Sequence, residues 1–357
     1  MTINELSRQD LTRQPATLQE VADAAGVHRS TASRALNPEK AHLIGQDVVE
    51  RVQAAALRMG YRRDVLAAGL RTRRSRLIGV VVPDMANLVF APILSAIETV
   101  LAENGYSALI ANAGGGVDQQ IRIVEQLIAH RVEGIVLATA QQDDPVLTRC
   151  LEAGVPAVLV NRAETTARAS TVISDDTGGM RLAVEHLAAL GHRKIGHIAG
   201  PRHLSTGSLR RRGFEQAMAE AGLDAGAVSV ASAYTRDAGR IAAAELLDRH
   251  PDLTAVATAN DLLALGLYLE LRARGLACPS DVSVVGHNDM PLIDMVDPPL
   301  TTIHIHHGDM GRQAAELLLK RIVAPDASPV IRVMAPELVV RGSTAPPTRR
   351  LVSKNEI

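Results

Sequence analysis

The chain has 357 residues, 46% of them hydrophobic, and a formal net charge of −1; this length exceeds one small domain and suits two or three. No uninterrupted apolar run approaches the ~20 residues that span a membrane, and polar Met1–Pro15 lacks the apolar core of a secretory signal. Cys150 and Cys278 lie far apart with no CxxC or metal spacing, which leads us to expect a reduced, cytoplasmic protein with two buried thiols.

Residues 1–15 are polar, aperiodic and closed by Pro15, and read as a disordered arm. Thr17 and Glu20 have capping-box spacing, so a helix is predicted to start at Leu18, with Val21, Ala22 and Ala25 on one apolar face. Gly26 supplies the permissive backbone for a turn, and Val27 plugs the corner. From Arg29 to Leu36, Ala32, Ala35 and Leu36 pack inward and leave Arg29, Ser30, Ser33 and Arg34 facing out. This is the layout of a helix-turn-helix whose second helix enters the DNA major groove. An ordinary helical hairpin with a solvated polar face is the competing reading. Met1–Arg76 holds 13 Lys+Arg against 8 Asp+Glu, and the rest of the chain 25 against 31. A basic head on an acidic body is expected when only the head meets phosphates.

Beyond the Asn37-Pro38-Glu39-Lys40 loop, a third helix is predicted from Asp47 to Met59, with Val48, Val52, Ala55, Ala56 and Met59 inward and Tyr61 packing on the same small core. Asp64–Thr72 is a short helix candidate with Asp64 as its N-cap, and the basic run Arg71–Arg76 closes the head. From Leu77 the texture changes. Strands Leu77–Val82, Ser107–Ala111, Gly134–Leu137 and Ala157–Val160 alternate with helices Ala91–Asn104, Val117–Ala129 and Pro145–Ala153. A second series follows, with strands Lys194–Ala199, Val228–Ala231, Ala255–Thr258 and Val282–Val285. Its helices are Thr177–Leu190, Leu209–Ala221, Ala238–Asp248 and Leu262–Arg274. Continuous apolar strands between amphipathic helices predict an α/β body of two lobes, each a parallel sheet covered on both faces, with a cleft between them.

The Thr17–Asn37 block is joined by Gly60-Tyr61, Leu77-Ile-Gly-Val, Glu185-His-Leu with Gly191-His-Arg-Lys-Ile-Gly, Asn260-Asp261, Asp281-Val-Ser-Val-Val-Gly and Pro298-Pro-Leu-Thr-Thr-Ile303. In this ordered set, from about Thr17 to Ser343, the chain resembles the lactose/purine repressor (LacI-type) family of bacterial transcription factors. The resemblance implies a head at 16–62, a hinge helix and linker at 63–76, a periplasmic-binding-protein-like body at 77–345 for effector binding and dimerisation, and a flexible tail at 346–357. It implies a homodimeric repressor on palindromic operator DNA, controlled by a sugar or sugar acid in the cleft. Arg29, Ser30 and Arg34 match its base-reading positions, and Thr31 and Ser33 resemble phosphate or base-edge contacts. Thr17 and His28 complete the implied DNA-binding set on the head. Ala67 and Leu70 match its minor-groove positions, where paired Leu side chains wedge into a central step; packing on its own domain is the alternative for Leu70.

The sequence also departs from that pattern. His28 stands where a Ser usually caps the recognition helix, Gly45, Val48 and Val49 replace a common Ser and Thr-Arg, and Arg63-Asp64 replaces Pro-Asn. Asp64 near phosphate weakens binding, and Arg62, Arg63, Arg71, Arg73 and Arg74 are placed to compensate. Matching positions in the cleft are Asn87 to Phe90, Asn161, Arg162, Arg210 at a helix start, Asn260, and Asn288 just after a strand. Asp261 is expected to cap the next helix. His287 and Asn288 replace the usual aromatic and Asp, and with Arg162 and Arg210 they suggest an acidic effector. The chain has two Phe, four Tyr and no Trp, so stacking surfaces for a pyranose are few, and Phe90 alone is obviously placed for it.

The other constellations are weaker. His304-x-His306-His307 has no acidic or Cys partner at metal spacing and matches the family's crossover between lobes. Gly114-Gly-Gly116 lacks nucleotide-loop order and reads as a turn. Ser174-Asp175-Asp176 reads as a strand-end turn near the cleft, and no nucleophile elbow or cofactor motif is found. A periplasmic binding protein predicts a signal peptide and no basic head; a cytoplasmic α/β binding protein or enzyme without a DNA role is the remaining alternative. The tail has no leucine heptad, so a tetramer built on a tail coiled coil is not expected.

Overall fold

Helix α1 (Leu18–Ala24) opens with both halves of a capping box: the Glu20 amide donates to Thr17 Oγ1 (3.3 Å) and the Thr17 amide to Glu20 Oε2 (2.6 Å). In this computed structural model, which describes residues 16–37, 40–61, 74–114 and 116–348, the chain divides into two units, Met1–Ser75 and Arg76–Ile357. In the first unit, Gly26 takes φ +65°, the left-handed backbone that turns α1 into α2 (Arg29–Ala35). A third helix, α3 (Gln46–Arg58), completes the core of Val21, Ala22, Ala25, Ala32, Ala35, Val49, Val52, Ala55 and Ala56, with Val27, Leu36 and Tyr61 packed on it. The inward face of α3 corrects the sequence reading: Val49 is buried, Val48 only half-buried, and Met59 is exposed. Met59 continues the stripe of Val52, Ala55 and Ala56, but it is the C-cap residue and runs past the end of two seven-residue helices.

The second unit holds two six-stranded sheets. The first-lobe strands are β1 (Leu77–Val82), β2 (Ser107–Asn112), β3 (Gly134–Leu137), β4 (Ala157–Val160) and β5 (Ser170–Ser174). Their helices are α4 (Phe90–Glu103), α5 (Val117–Ala129) and α6 (Pro145–Glu152). The second lobe adds α7 (Asp176–Ala189), β6 (Ile195–Ala199), α8 (Ser205–Glu220), β7 (Val228–Val230), α9 (Arg236–Arg249), β8 (Ala255–Thr258), α10 (Asp261–Ala273), β9 (Ser283–Asn288) and β10 (Thr301–His304). The chain then returns to the first lobe through α11 (His307–Val323) and β11 (Ile331–Met334), and ends in the second with β12 (Glu337–Val339).

Sheet orders are β11-β5-β4-β3-β1-β2 and β12-β10-β9-β8-β6-β7, all neighbours parallel except β12 against β10. The chain therefore crosses between lobes three times, after β5, β10 and β11. Strands β1, β3 and β4 are apolar on both faces because helices cover both. One face of the first sheet packs Ile93, Ile97 and Leu101 of α4 with Met310, Ala314 and Leu318 of α11. A Cβ added at Gly311 would stand 2.3 Å from the Ile93 carbonyl oxygen, so only glycine lets α11 approach α4 this closely.

Strands β5, β10, β11 and β12 and helix α11 are not among the elements predicted from sequence. The four strands carry polar or charged residues within three to five positions (Ser170 and Thr171, Thr301 and Thr302, Arg332, Glu337), so they lack the continuous apolar run that marks β3 and β4. Helix α11 was legible, since Met310, Ala314, Leu317 and Leu318 recur at helical spacing.

Candidate DNA-reading surface and ligand cleft

On the head, α2 buries Ala32 and Ala35 and exposes Arg29, Ser30 and Arg34, with Thr31 and Ser33 half-exposed. Its N-cap is His28, whose Nδ1 accepts from the Ser30 amide (3.3 Å) and lies 2.8 Å from Ser30 Oγ. An imidazole nitrogen thus does the work of the more usual side-chain oxygen at this position. Thr17, exposed, is engaged in the capping box of α1. Ala67 and Leu70, together with Arg62, Arg63, Asp64, Arg71 and Arg73, lie outside the described residues.

In the body, one cavity of about 270 Å³ lies between the lobes. Asn87, Phe90, Asn161, Arg162, Arg210, Asn260 and Asn288 all line it, joined by Val89, Thr206 and Tyr234. The strand ends converge here: Asn87 and Phe90 follow β1, Asn161 and Arg162 follow β4, Asn260 follows β8, and Asn288 ends β9. Ligands of parallel sheets bind at such carboxyl ends. Asn161 (φ 66°) and Asn288 (φ 114°) both take positive φ, which a non-glycine backbone rarely adopts and which concentrates at functional positions.

Four local readings change. Helix α8 begins at Ser205, not Leu209, so Arg210 sits in its second turn; Ser205-Thr206-Gly207-Ser208 look like loop but form its first turn. Strand β9 runs on through buried Gly286, His287 and Asn288, making Asn288 its last residue. Asn260, not Asp261, caps α10, its Oδ1 accepting from the Leu263 amide (2.9 Å). Asp261 instead braces the β9 and β10 ends, accepting from Thr302 Oγ1 (2.6 Å) and the Met290 amide (2.8 Å). Phe90 is not the lone aromatic: Tyr234 lines the cavity and donates from its hydroxyl to Thr206 Oγ1 (3.2 Å). Sequence reasoning missed Tyr234 because it sits in an irregular segment before α9.

The two arginines differ. Arg210 Nε donates to Asp176 Oδ1 at 2.7 Å, each side chain only 3% exposed, and Nη1 donates to the Ala259 carbonyl. Ser174-Asp175-Asp176 is therefore more than a turn: Asp175 caps α7, and Asp176 neutralises Arg210. Burial pushes the Asp176 carboxyl up, and the Arg210 charge and hydrogen bond pull it back. Arg162 is buried, its Nε has no partner, and no carboxylate forms an ion pair with it among the described residues. Burial lowers it to about 10, Tyr234 opposing and Arg210 adding to the shift, so it remains a cation at neutral pH. Below the cavity, buried His287 is 3.6 Å from Asp176, with both ring nitrogens unpartnered. Burial, with Arg210, His197 and His307 nearby, holds it well below its usual range, hence neutral.

The His304-x-His306-His307 run lies at the second crossover. His304 Nδ1 is 3.0 Å from Asp289 Oδ2, and His306 is 3.8 Å from Glu337. Acidic partners do come, from distant segments, but among the described residues no group of three or more side chains has metal-holding geometry.

The profile described as "Bacterial regulatory proteins, lacI family" matches residues 17–64, and "Periplasmic binding protein-like domain" matches 184–344. The HTH-type transcriptional regulator CelR of Thermobifida fusca is 35% identical over 344 residues, 93% of this chain and 99% of CelR. MalR of Streptomyces coelicolor, also an HTH-type transcriptional regulator, is 36% identical over 338 residues, 92% of this chain and 96% of its own. The chain belongs to the LacI family of bacterial regulatory proteins.

Solved structures agree over more than nine-tenths of the chain. A lac repressor dimer bound to operator and the anti-inducer ONPF superposes with TM-score 0.84 at 28% identity, covering 93% of this chain and 100% of that one. A CelR–cellobiose complex gives TM-score 0.71 at 34% identity, covering 92% and 99%. This LacI-family protein is thus a DNA-binding transcriptional regulator, and family membership decides against the enzyme and periplasmic readings. Within that frame its departures have physical content. His28 still caps, Gly45 begins α3 with no side-chain cap, and Val49 is in the core rather than at a phosphate.

Proposed function

We propose that this regulator reads a palindromic operator as a homodimer and that a small polyhydroxylated molecule in the cleft sets its operator affinity. The observation that carries the first half is the exposed polar face of a capped α2. Arg29 and Arg34 suit bidentate contacts to guanine edges, and Ser30 suits a base edge. Thr31 and Ser33 serve as base-edge or phosphate contacts, and Thr17 and His28 fix the α1 and α2 N-termini against the backbone. Ala67 and Leu70, the hinge positions matched by family resemblance, insert in the minor groove at the centre of the site. Such a protein works where its DNA is, in the cytoplasm.

The second half rests on the cavity wall, where four Asn amides, Thr206, Tyr234 and two guanidinium groups offer directional partners for hydroxyls. CelR captured with cellobiose, and a LacI-family regulator of Enterococcus faecium with ribose, support a sugar-like occupant. Because the cleft is built from both lobes, an occupant that binds one lobe arrangement better than the other shifts the equilibrium between them, and operator affinity follows.

The test is selection of binding sites from random DNA with the full-length protein. A palindrome should be enriched, and Arg34→Ala should cost about 1–3 kcal/mol and flatten preference at one position per half-site. Leu70→Ala should weaken specific binding and spare salt-sensitive non-specific binding. A selection that enriches no palindrome would overturn the operator reading, and equal loss of both binding modes in Leu70→Ala would overturn the wedge.

A further inference from the structure

The cavity described above has an unbalanced wall. Among the described residues ten line it, of which two are arginines and none is Asp or Glu. The acid nearest to hand, Asp176, is already taken by Arg210 at 2.7 Å. Glu164, two residues beyond Arg162, is also committed, to Arg168 at 2.7 Å. Arg162 therefore faces the cavity as a buried cation with an unpartnered Nε and no counter-charge on the wall. A desolvated guanidinium in this position is costly unless an anion or several acceptors meet it.

Two further features have the same sign. Helix α8 presents its N-terminal turn to the cavity through Thr206 and has no side-chain cap. Sixteen aligned peptide dipoles thus place partial positive charge at that wall. On the same wall Asn288 contributes a neutral amide, with a buried Oδ1 that has no partner. At this position a carboxylate would repel an anion; an amide accepts hydroxyl protons without doing so.

We infer that the effector of this regulator is a polyol bearing one anionic group, held by Arg162 and the α8 N-terminus while the Asn amides and Tyr234 meet its hydroxyls. Arg210, neutralised by Asp176, donates to a hydroxyl and does not select for charge. This rests on the cleft being the effector site, and it narrows the ligand class to sugar carboxylates or sugar phosphates.

The experiment is calorimetric titration of the full-length protein with D-glucuronate, D-gluconate, D-glucose and glucose 6-phosphate, on wild type, Arg162→Gln, Arg162→Lys and Asn288→Asp. A charge-assisted contact is roughly twice as strong as a neutral one, so at least one acid should bind about tenfold or more tighter than glucose. Arg162→Gln should bring that ratio towards one, and Arg162→Lys should retain part of it. Asn288→Asp, which puts a negative charge on the wall, should depress acid binding more than glucose binding. Carboxylate against phosphate preference separates the two sources of the anion.

Tighter binding of glucose than of every acid would overturn the inference, as would no binding of any of the four compounds. So would equal losses for acid and neutral sugar in Arg162→Gln, since Arg162 would then be an ordinary hydroxyl donor. Operator release is scored in parallel. A neutral sugar that binds and releases DNA removes the anion proposal and keeps the effector function; an acid that binds without changing operator affinity does the reverse.

Discussion

Removing Asp176 tests the charge arrangement under the cleft most directly. Asp176 and Arg210 are each 3% exposed and 2.7 Å apart. Asp176→Asn therefore leaves a guanidinium that cannot shed its proton in a site with almost no water. Breaking one side of such a pair costs about 3–5 kcal/mol. The retained bond from Arg210 to the Ala259 carbonyl places the expectation at the lower end. For a unit of this size that is a fall in Tm on the order of 10 °C. Arg210→Met should behave differently, because the orphaned carboxyl sits at N1 of α7, where the helix dipole favours its charge, and it can also take up a proton. Its folded-state affinity for a proton then exceeds that of the unfolded chain, so its destabilisation should shrink as pH falls from about 7 to about 5. The double variant should recover much of the loss, since neither charge is left alone. Chemical and thermal unfolding of the four proteins, followed by circular dichroism across that pH range, provides the cycle. An Asp176→Asn variant within about 1 kcal/mol of wild type would refute the account. So would the same pH profile for both single variants.

Two more predictions concern histidines. His28→Ala removes the α2 cap and should cost about 1 kcal/mol, seen as faster amide hydrogen exchange at Ser30, whereas His28→Ser should restore protection. His307, buried at the start of α11, is lowered from 6.5 to about 4 chiefly by burial. Its folded pKa lies below its unfolded one, so its contribution is intact above about pH 6.5 and is lost as pH falls towards 4. Asp261, raised to about 7 by burial, has the opposite slope, so the comparison is made against a variant rather than read from wild type alone. Wild type should lose about 2 kcal/mol more than His307→Gln between about pH 7 and pH 5, and parallel urea-unfolding curves at the two pH values would contradict this.

What the chain determined by itself is the set of features fixed within a few residues. Thr17 and Glu20 are three apart, so the start of α1 follows from one turn of helix geometry. Gly26, the buried alanines of α2 and the uniformly apolar β1, β3 and β4 are equally local. The family motifs likewise placed seven residues that line one cavity: six lie at or just beyond strand ends, which converge in a parallel sheet whatever the loops between them, and Arg210 joins them from α8.

The charge of that cavity was settled only by tertiary packing. The Asp176–Arg210 pair spans 34 positions, and nothing local distinguished Arg210 from Arg162 as the neutralised one. Tyr234 reached the wall from an irregular segment, and β11 completed the first sheet beside β5 from 160 positions away. Capping and periodicity are properties of adjacent backbone units and can be read from spacing. Which buried cation keeps a free charge depends on which acid the fold carries within about 3 Å of it, and that is decided by helices and strands meeting across the sheet.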